Sequence, residues 1–446
     1  MTRATKFRLH GVAAGALLAA GLCATGAAGA VTIEQAYQAA LKNDPVFRMR
    51  YFENENGKEN QILGRSQLLP NVSASHTVSR NVADQQYIGR PEEHPRYSSR
   101  STVVQLRQPL FNMDAVQRYR QGKVQSAQAE EAYEAGTDEV SVRVVSAYLD
   151  ALFAEDQLAL ARVQREMYVE QQKVNQFLFE KGEGTRTDML ETQARLDLSE
   201  AQLVESQDNV VAVRNTLAGV IGMDPGTLEQ LGENFRPVTL DVATFEDWRA
   251  LALRRNNTLA ALRLSVENSR LEIGRNKAGH LPRVDFVATY SKSDNETLNN
   301  LGLMATNRTL GVQVNLPIYS GGAISAQTRQ AAANYGRAQA ELDARTNEVL
   351  VELRKAHDLV QSSGRKIDAL VKAVDSGKEL MKATEQSIKG GVRINLDLLN
   401  AQQVLFTSQR DLAQARYSYL IGLMRLRAAA GTLAPDAVRE IAAFFR

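Results

Sequence analysis

KGEGTRTDMLETQARL (181–196) and GGVRINLDLLNAQQVL (390–405) say nearly the same thing twice in one chain. Each sets glycines, an arginine, an aspartate and a glutamine in similar order. Each also joins two long polar stretches of helical composition. Aligned, Asp188 stands opposite Asp397 and Gln193 opposite Gln402, an offset of 209 residues. Outward from these turns the correspondence continues. TIEQAYQAALKND (32–44) matches TFEDWRALALRRN (244–256), and GRSQLLPNV (64–72) matches NKAGHLPRV (276–284). Pro109-Leu110-Phe111 matches Pro317-Ile318-Tyr319, and Gly222 meets Gly431. Nearly everything after residue 30 therefore reads as two copies of one unit of about 210 residues.

The units share an internal grammar. The first repeat (31–230) opens with short helices over 32–44 and 45–68. Proline has no amide donor and disfavours helix before it, so Leu69-Pro70 stops the second of these. A strand hairpin (about 72–109) follows, then a very long helix (about 114–178), the glycine turn, and a second long helix (about 188–221). A linker (231–243) leads to the second repeat (244–434). That repeat carries a hairpin over about 284–317, long helices over about 323–388 and 397–430, and a C-terminal segment (435–446). Gly tolerates the positive φ of such a reversal, and Thr187 and Asn395 are candidate caps of the helices that follow.

The strands alternate with period two. In VDFVATYS (284–291) Val284, Phe286, Ala288 and Tyr290 face one way, and Asp285, Val287, Thr289 and Ser291 the other. In TLGVQVNL (309–316) Leu310, Val312, Val314 and Leu316 oppose Thr309, Gly311, Gln313 and Asn315. Such alternation suits lipid on one side and water on the other, and equally a soluble half-buried sheet. The flanking helices have no apolar surplus with which to cover a sheet, which favours lipid. Four strands cannot close a barrel, and open edges cannot be left in lipid, so several chains must contribute. Two copies give eight strands and three give twelve; the count alone does not choose.

The helix over 114–178 would extend about 97 Å at 1.5 Å per residue, roughly three times a bilayer's hydrocarbon thickness. In the second copy Leu353, Val360, Ile367, Val374, Met381 and Ile388 recur every seventh residue, a coiled-coil seam. The aligned positions of the first copy are Ala151, Leu158, Arg165, Gln172 and Phe179. Their polar interruptions suit helices that surround water.

Composition sets further limits. The 446 residues carry a formal net charge of +2, 23% charged residues of both signs and a mean hydropathy of −0.31. These values exclude a membrane helix bundle and give no field that would draw nucleic acid. The N-terminus reads as a signal peptide (1–30): Arg3, Lys6 and Arg8, an apolar core over 11–22, then Ala28-Gly29-Ala30 as a cleavage site. The single cysteine, Cys23, lies inside it, so the mature chain would have no disulfide. After residue 30, membrane entry would have to be by strands.

LLPNVSAS (68–75), LRQPLF (106–111), GEGTRTDMLETQARLDL (182–198), VNLPIYSGG (314–322), GGVRINLDLLNAQQ (390–403) and LRAAAGTL (426–433) together resemble the TolC family of outer-membrane channel-tunnels. The wording is closest to the branch that serves type I protein secretion. The resemblance implies a mainly α protein with membrane β: a homotrimer whose twelve-stranded barrel in outer-membrane lipid continues into a periplasmic α-helical coiled-coil tunnel. It implies as partners a periplasmic adaptor and an inner-membrane ABC transporter or other efflux transporter. By the same resemblance the glycine turns form the periplasmic entrance. Thr187, Asp188 and Arg393 belong to the network that holds it shut, while Asp397 and Asn400 occupy the constriction ring. Lys181, Gly182, Glu183, Gly390, Gly391 and Val392 fall where adaptor hairpins dock. Two positions depart from the family pattern: Ile388 replaces a tyrosine of the gate network, and Asn400 replaces one of two constricting aspartates.

No enzyme signature is present: neither a G-x-x-x-x-G-K-[ST] loop, nor H-E-x-x-H, nor G-x-S-x-G. His10, His76, His94, His280 and His357 are scattered without metal-ligand spacing. No catalytic residue, metal site or cofactor is expected. The leading expectation is a passive exit duct for an unfolded polypeptide. Its alternatives are a drug or small-molecule efflux channel and, from another class, a periplasmic coiled-coil adaptor or structural protein.

Overall fold

The computed structural model describes residues 30–232, 235–237, 244–295, 303–390, 392–433 and 435–445. The expected signal peptide, apart from Ala30, lies outside the described residues. So do most of the linker over 231–243, Gly391 and residue 434 of the second repeat, and residue 446 of the C-terminal segment. In chain order the elements are α1 (Ile33–Asn43), α2 (Pro45–Ser66), β1 (Asn71–Val82), β2 (Arg96–Phe111), α3 (Met113–Glu180) and α4 (Arg186–Ile221). The second half follows with α5 (Phe245–Arg255), α6 (Asn257–Lys277), β3 (Arg283–Asn295), β4 (Leu303–Asn315), α7 (Ala323–Lys389), α8 (Asn395–Ala430) and α9 (Pro435–Ala442).

The strands form one antiparallel sheet in the order β1-β2-β3-β4, so the middle pairing, β2 with β3, joins the two halves of the chain. Each strand is covalently continuous with one helix: β1 follows α2, β2 leads into α3, β3 follows α6 by a short turn, and β4 leads into α7. The helices pack in that same order, α2 on α3, α3 on α6, α6 on α7. Further from the sheet α4 takes the place of α2, and α8 that of α6. The molecule is thus a single-layer wall, four strands wide at one end and four helices wide at the other.

The changeovers are built alike. α4 ends at Gly222 (φ +70°) against Asn43, whose Nδ2 donates to the Ile221 carbonyl at 3.1 Å. α8 ends at Gly431 (φ +66°) against Arg255, and Asn256 Nδ2 donates to the Ala429 carbonyl at 3.0 Å. Both glycines sit in the left-handed conformation that closes a helix, and a Cβ at either would strike the next helix junction. Around these joints lies the main core. Ile33, Val144, Tyr148, Leu149 and Leu152 meet Leu217, Ile221, Leu353, Val360, Leu420 and Met424 there. The C-terminal α9 packs Val438 and Ile441 into it.

Between α2 and α3 the approach is closest at glycines. A Cβ at Gly64 would lie 2.7 Å from the Arg118 carbonyl, and one at Gly122 would drive into that of Asn60. The heptad seam of α7 is buried at Leu353, Val360, Ile367 and Val374. In α3 the seam falls three residues later than the aligned positions, on Ala154, Ala161, Tyr168 and Asn175. Arg165 and Gln172 are only half-buried and Phe179 is exposed, because α3 contacts α4 and α8 together and turns a different stripe inward.

Candidate channel wall and gate

Register fixes the two faces of the sheet. Val72, Leu106, Ala288 and Leu310 are directly paired across the four strands, and so are Ala74, Val104, Tyr290 and Arg308. Val72, Leu310, Val312 and Val314 are each at least 60% exposed, an apolar face with nothing to cover it among the described residues. The opposite face carries Ser73, Gln105, Thr289 and Thr309 in one row and Ser75, Val103, Ser291 and Asn307 in the next. Its charged groups cluster at the helix end, where buried Asp285 pairs with Arg107 and, at 3.4 Å, with Arg283. The outer edges of β1 and β4 have no partner strand among the described residues.

At the far end of the helices lie the two glycine turns. In the first, Gly182 adopts φ +80°, and its N–H donates to the Phe179 carbonyl at 3.0 Å. The cap of α4 is Thr185, not Thr187. Thr185 Oγ1 accepts from the Asp188 amide at 3.1 Å, while Asp188 Oδ2 accepts from the Thr185 amide at 3.3 Å. This reciprocal box needs a hydroxyl three residues before the carboxylate, a spacing Thr187 cannot supply. Thr187 is exposed. The second turn lacks this box: the cap position is Ile394, without a side-chain bond, and Asn395 is the first helical residue. Gly390 has φ −85°, open to any residue.

Asn395 serves the interior instead. Its Nδ2 donates to Thr192 Oγ1 at 3.3 Å, and its Oδ1 accepts from Gln171 at 2.7 Å. Asn175 Nδ2 donates to Thr192 Oγ1 at 2.7 Å, and Thr192 in turn donates to the Asp188 carbonyl at 2.9 Å. Thr192 is fully buried and Asn175 nearly so. This polar knot ties the α3–α4 hairpin to α8 just inside the tips, and the sequence reading missed it. Of its members the sequence marks only Asn395, as a candidate cap, beside the 188/397 duplication.

Of the expected gate residues, Asp188 is half-buried and engaged in the cap box. Arg393 is exposed and makes no bond within the chain among the described residues. Asp397 is half-buried one turn before the exposed Asn400 on α8, and Asn400 Oδ1 accepts from Arg195 at 3.3 Å. Lys181, Gly182, Glu183, Gly390 and Val392 are all exposed at the tips, Val392 at 82%. Phe177, Phe179 and Ile394 add apolar surface around them.

A second polar site lies at the joint between α8 and α6, in a 550 Å³ cavity lined in part by Asp138, Ser146, Asp150, Asn257, Arg345 and Arg425. Burial pushes the Asp138 carboxyl up to about 7, against a hydrogen bond from Asn257 at 3.1 Å that favours the ionised form. Nearby, burial also raises Asp156, although Tyr417 donates to it at 2.7 Å.

A four-stranded sheet with two open edges, apolar outside and polar inside, each strand continuous with a helix and two of those helices about 100 Å long, defines one stave of a barrel-and-tunnel channel. The chain belongs to the outer membrane efflux protein family, whose model matches residues 36–223 and 248–432, one stretch in each repeat. It is 39% identical over 92% of its length to the alkaline protease secretion protein AprF of Pseudomonas aeruginosa, covering 86% of that protein. It is 36% identical to the proteases secretion protein PrtF of Dickeya chrysanthemi, over 94% of this chain and 92% of that one. With the outer membrane protein TolC of Escherichia coli it shares 27% identity over 91% and 83% of the two chains. Among solved structures, the Vibrio cholerae outer membrane protein VceC superposes with a TM-score of 0.75 at 17% identity, covering 90% of this chain and 96% of that one. The protein is a transport duct rather than an enzyme.

Proposed function

We propose that three copies of this chain close a twelve-stranded barrel in outer-membrane lipid and a tunnel of equal helix number beneath it. The assembly serves as the passive exit duct of a tripartite type I secretion system, taking an unfolded polypeptide from an inner-membrane ABC exporter and its periplasmic adaptor. The observation that carries this reading is the 39% identity, across nearly all of both chains, to a protease secretion protein. The open edges of the sheet support the assembly, since unpaired strand edges in lipid must find partners. The N-terminal 30 residues act as the export signal.

Within this reading the gate works between protomers. Arg393, unbonded among the described residues of its own chain, reaches an Asp188 carboxylate of the next, and Thr187 stands beside it. Exposed ion pairs contribute little stability, so the contact is a latch that can open. Three Asp397 carboxylates form the constriction, while Asn400 is held by Arg195 and adds no charge. Lys181, Gly182, Glu183, Gly390, Gly391 and Val392 receive the adaptor.

Deleting the gene and comparing the culture supernatant with drug susceptibility tests the proposal. Loss of one or more secreted proteins is expected. Unchanged secretion with new drug sensitivity would favour the second reading, an efflux channel, which the description of the matched family supports.

A further inference from the structure

The apolar face of the sheet is interrupted by charge in one place. Arg80 on β1, Arg100 on β2, Lys292 on β3 and Arg308 on β4 all lie on that face, one per strand. Register makes them successive diagonal neighbours: Arg80 pairs with Ser98, Arg100 with Val78, Lys292 with Thr102 and Arg308 with Tyr290. Diagonal side chains lie about 7–8 Å apart, so the four cations form one oblique stripe across the sheet.

Strands in a barrel are tilted about 35–45°, and an oblique stripe can therefore lie level in the membrane. Strand lengths place it in one band, seven to eleven residues from the helix-proximal ends. Arg80 is nine residues from the helix-proximal end of β1 at Asn71, and Arg100 eleven from Phe111. Lys292 is nine residues from Arg283, and Arg308 seven from Asn315. A tilted strand crosses the hydrocarbon in about 9–11 residues, so Arg80, Arg100 and Lys292 stand one hydrocarbon thickness from the helix end, with Arg308 two residues nearer to it. That is the level of the outer headgroups. Tyr290 lies on the same band, with the Arg308 guanidinium 6.0 Å from its ring centre, as interfacial tyrosines do.

All four cations are exposed, and none is ion-paired among the described residues. Asp294, opposite Arg100, is the one carboxylate in the stripe; Asp84 in the loop beyond is taken by His94 at 2.5 Å. Arg96 adds a fifth cation on the same face nearer the β1–β2 loop. The lumenal face at the same height is uncharged, with Thr77, Ser101 and Ser293 in one row. Cations confined to the lipid side at headgroup depth complement lipid phosphate, not the cargo.

We infer that this stripe is a binding site for the phosphate groups of outer-leaflet glycolipid, with each protomer seating phosphorylated lipid A against Arg80, Arg100, Lys292 and Arg308. The inference rests on the barrel reading above. Guanidinium groups match phosphate bidentately, and several held in a row select a lipid bearing more than one phosphate.

The test is binding of bis-phosphorylated lipid A, dephosphorylated lipid A and phosphatidylglycerol to the purified detergent-solubilised oligomer, read by native mass spectrometry. Bis-phosphorylated lipid A should bind at least about tenfold more tightly than the dephosphorylated form. Combining Arg80→Gln, Arg100→Gln, Lys292→Gln and Arg308→Gln should remove that preference, and Arg→Lys changes should retain most of it. Equal binding of both lipid A forms, a preference that survives the quadruple change, or equal binding of phosphatidylglycerol would overturn the site. Planar-bilayer conductance of the same wild-type and variant samples separates the two claims. Intact channels without phosphate preference sink only the lipid site, whereas no oligomer and no conductance from the wild type sinks the duct itself.

Discussion

Burial makes the charge state of Asp138 bear on the stability of the fold. Its folded carboxyl titrates near 7 because burial outweighs the Asn257 hydrogen bond, while an unfolded aspartate titrates at about 4. The folded state therefore binds the proton more tightly, and stability falls as pH rises from about 4 to about 7. Asp138→Asn should raise the thermal midpoint at pH 8, less at pH 5.5, and hardly at all at pH 4; a pH-independent shift would refute this. At the tip, Thr192 accepts from both Asn175 and Asn395. Thr192→Val should cost about 1–3 kcal/mol by leaving buried amides unpaired, with Thr192→Ser near wild type in denaturant melts. The sequence exposed Asp188 and Asp397 because duplication repeats them. Thr192 aligns with Ala401 and Asn175 with Thr384, so a search for repetition passes over a knot that one copy alone supplies.

Among elements, the α7 seam was legible because Leu353, Val360 and Ile367 are large and apolar every seventh residue. The α3 seam was not: alanine, tyrosine and asparagine at Ala154, Ala161, Tyr168 and Asn175 do not announce a buried stripe. The close crossing of α2 and α3 was equally hidden, since a helical glycine in sequence shows only its entropic cost. In the structure Gly122 permits contact with the Asn60 carbonyl, whereas Gly219 on α4 has open space around its would-be Cβ. Gly122→Ala should destabilise by about 1–3 kcal/mol through overpacking, and Gly219→Ala should stabilise by up to about 1 kcal/mol. Melting the two variants side by side checks both signs; equal effects would show that the crossing tolerates a methyl group.

For the whole molecule, period-two alternation and strand count told of a barrel in several pieces, but not of how many pieces. The order of strands and helices around the wall needed coordinates, because it is set by pairing β2 to β3 across the two repeats. Arg393→Ser should raise single-channel conductance if the guanidinium bridges protomers. Asp397→Ala should weaken block by divalent cations, because three converging carboxylates attract them. Unchanged conductance and unchanged block would place the closure elsewhere. The one-strand-to-one-helix continuity has a further consequence for the bore. Twelve strands about 4.8 Å apart and tilted near 40° make a ring of about 12 Å radius at the backbone. Twelve helices about 10 Å apart make a ring of about 19 Å, less about 5 Å of helix thickness on the inner side. The two radii agree within a few ångströms, so matching the counts yields a conduit of nearly constant calibre. An extended chain or a single helix slides through that calibre. A folded domain of about 200 residues, with a radius of gyration of about 16 Å, does not.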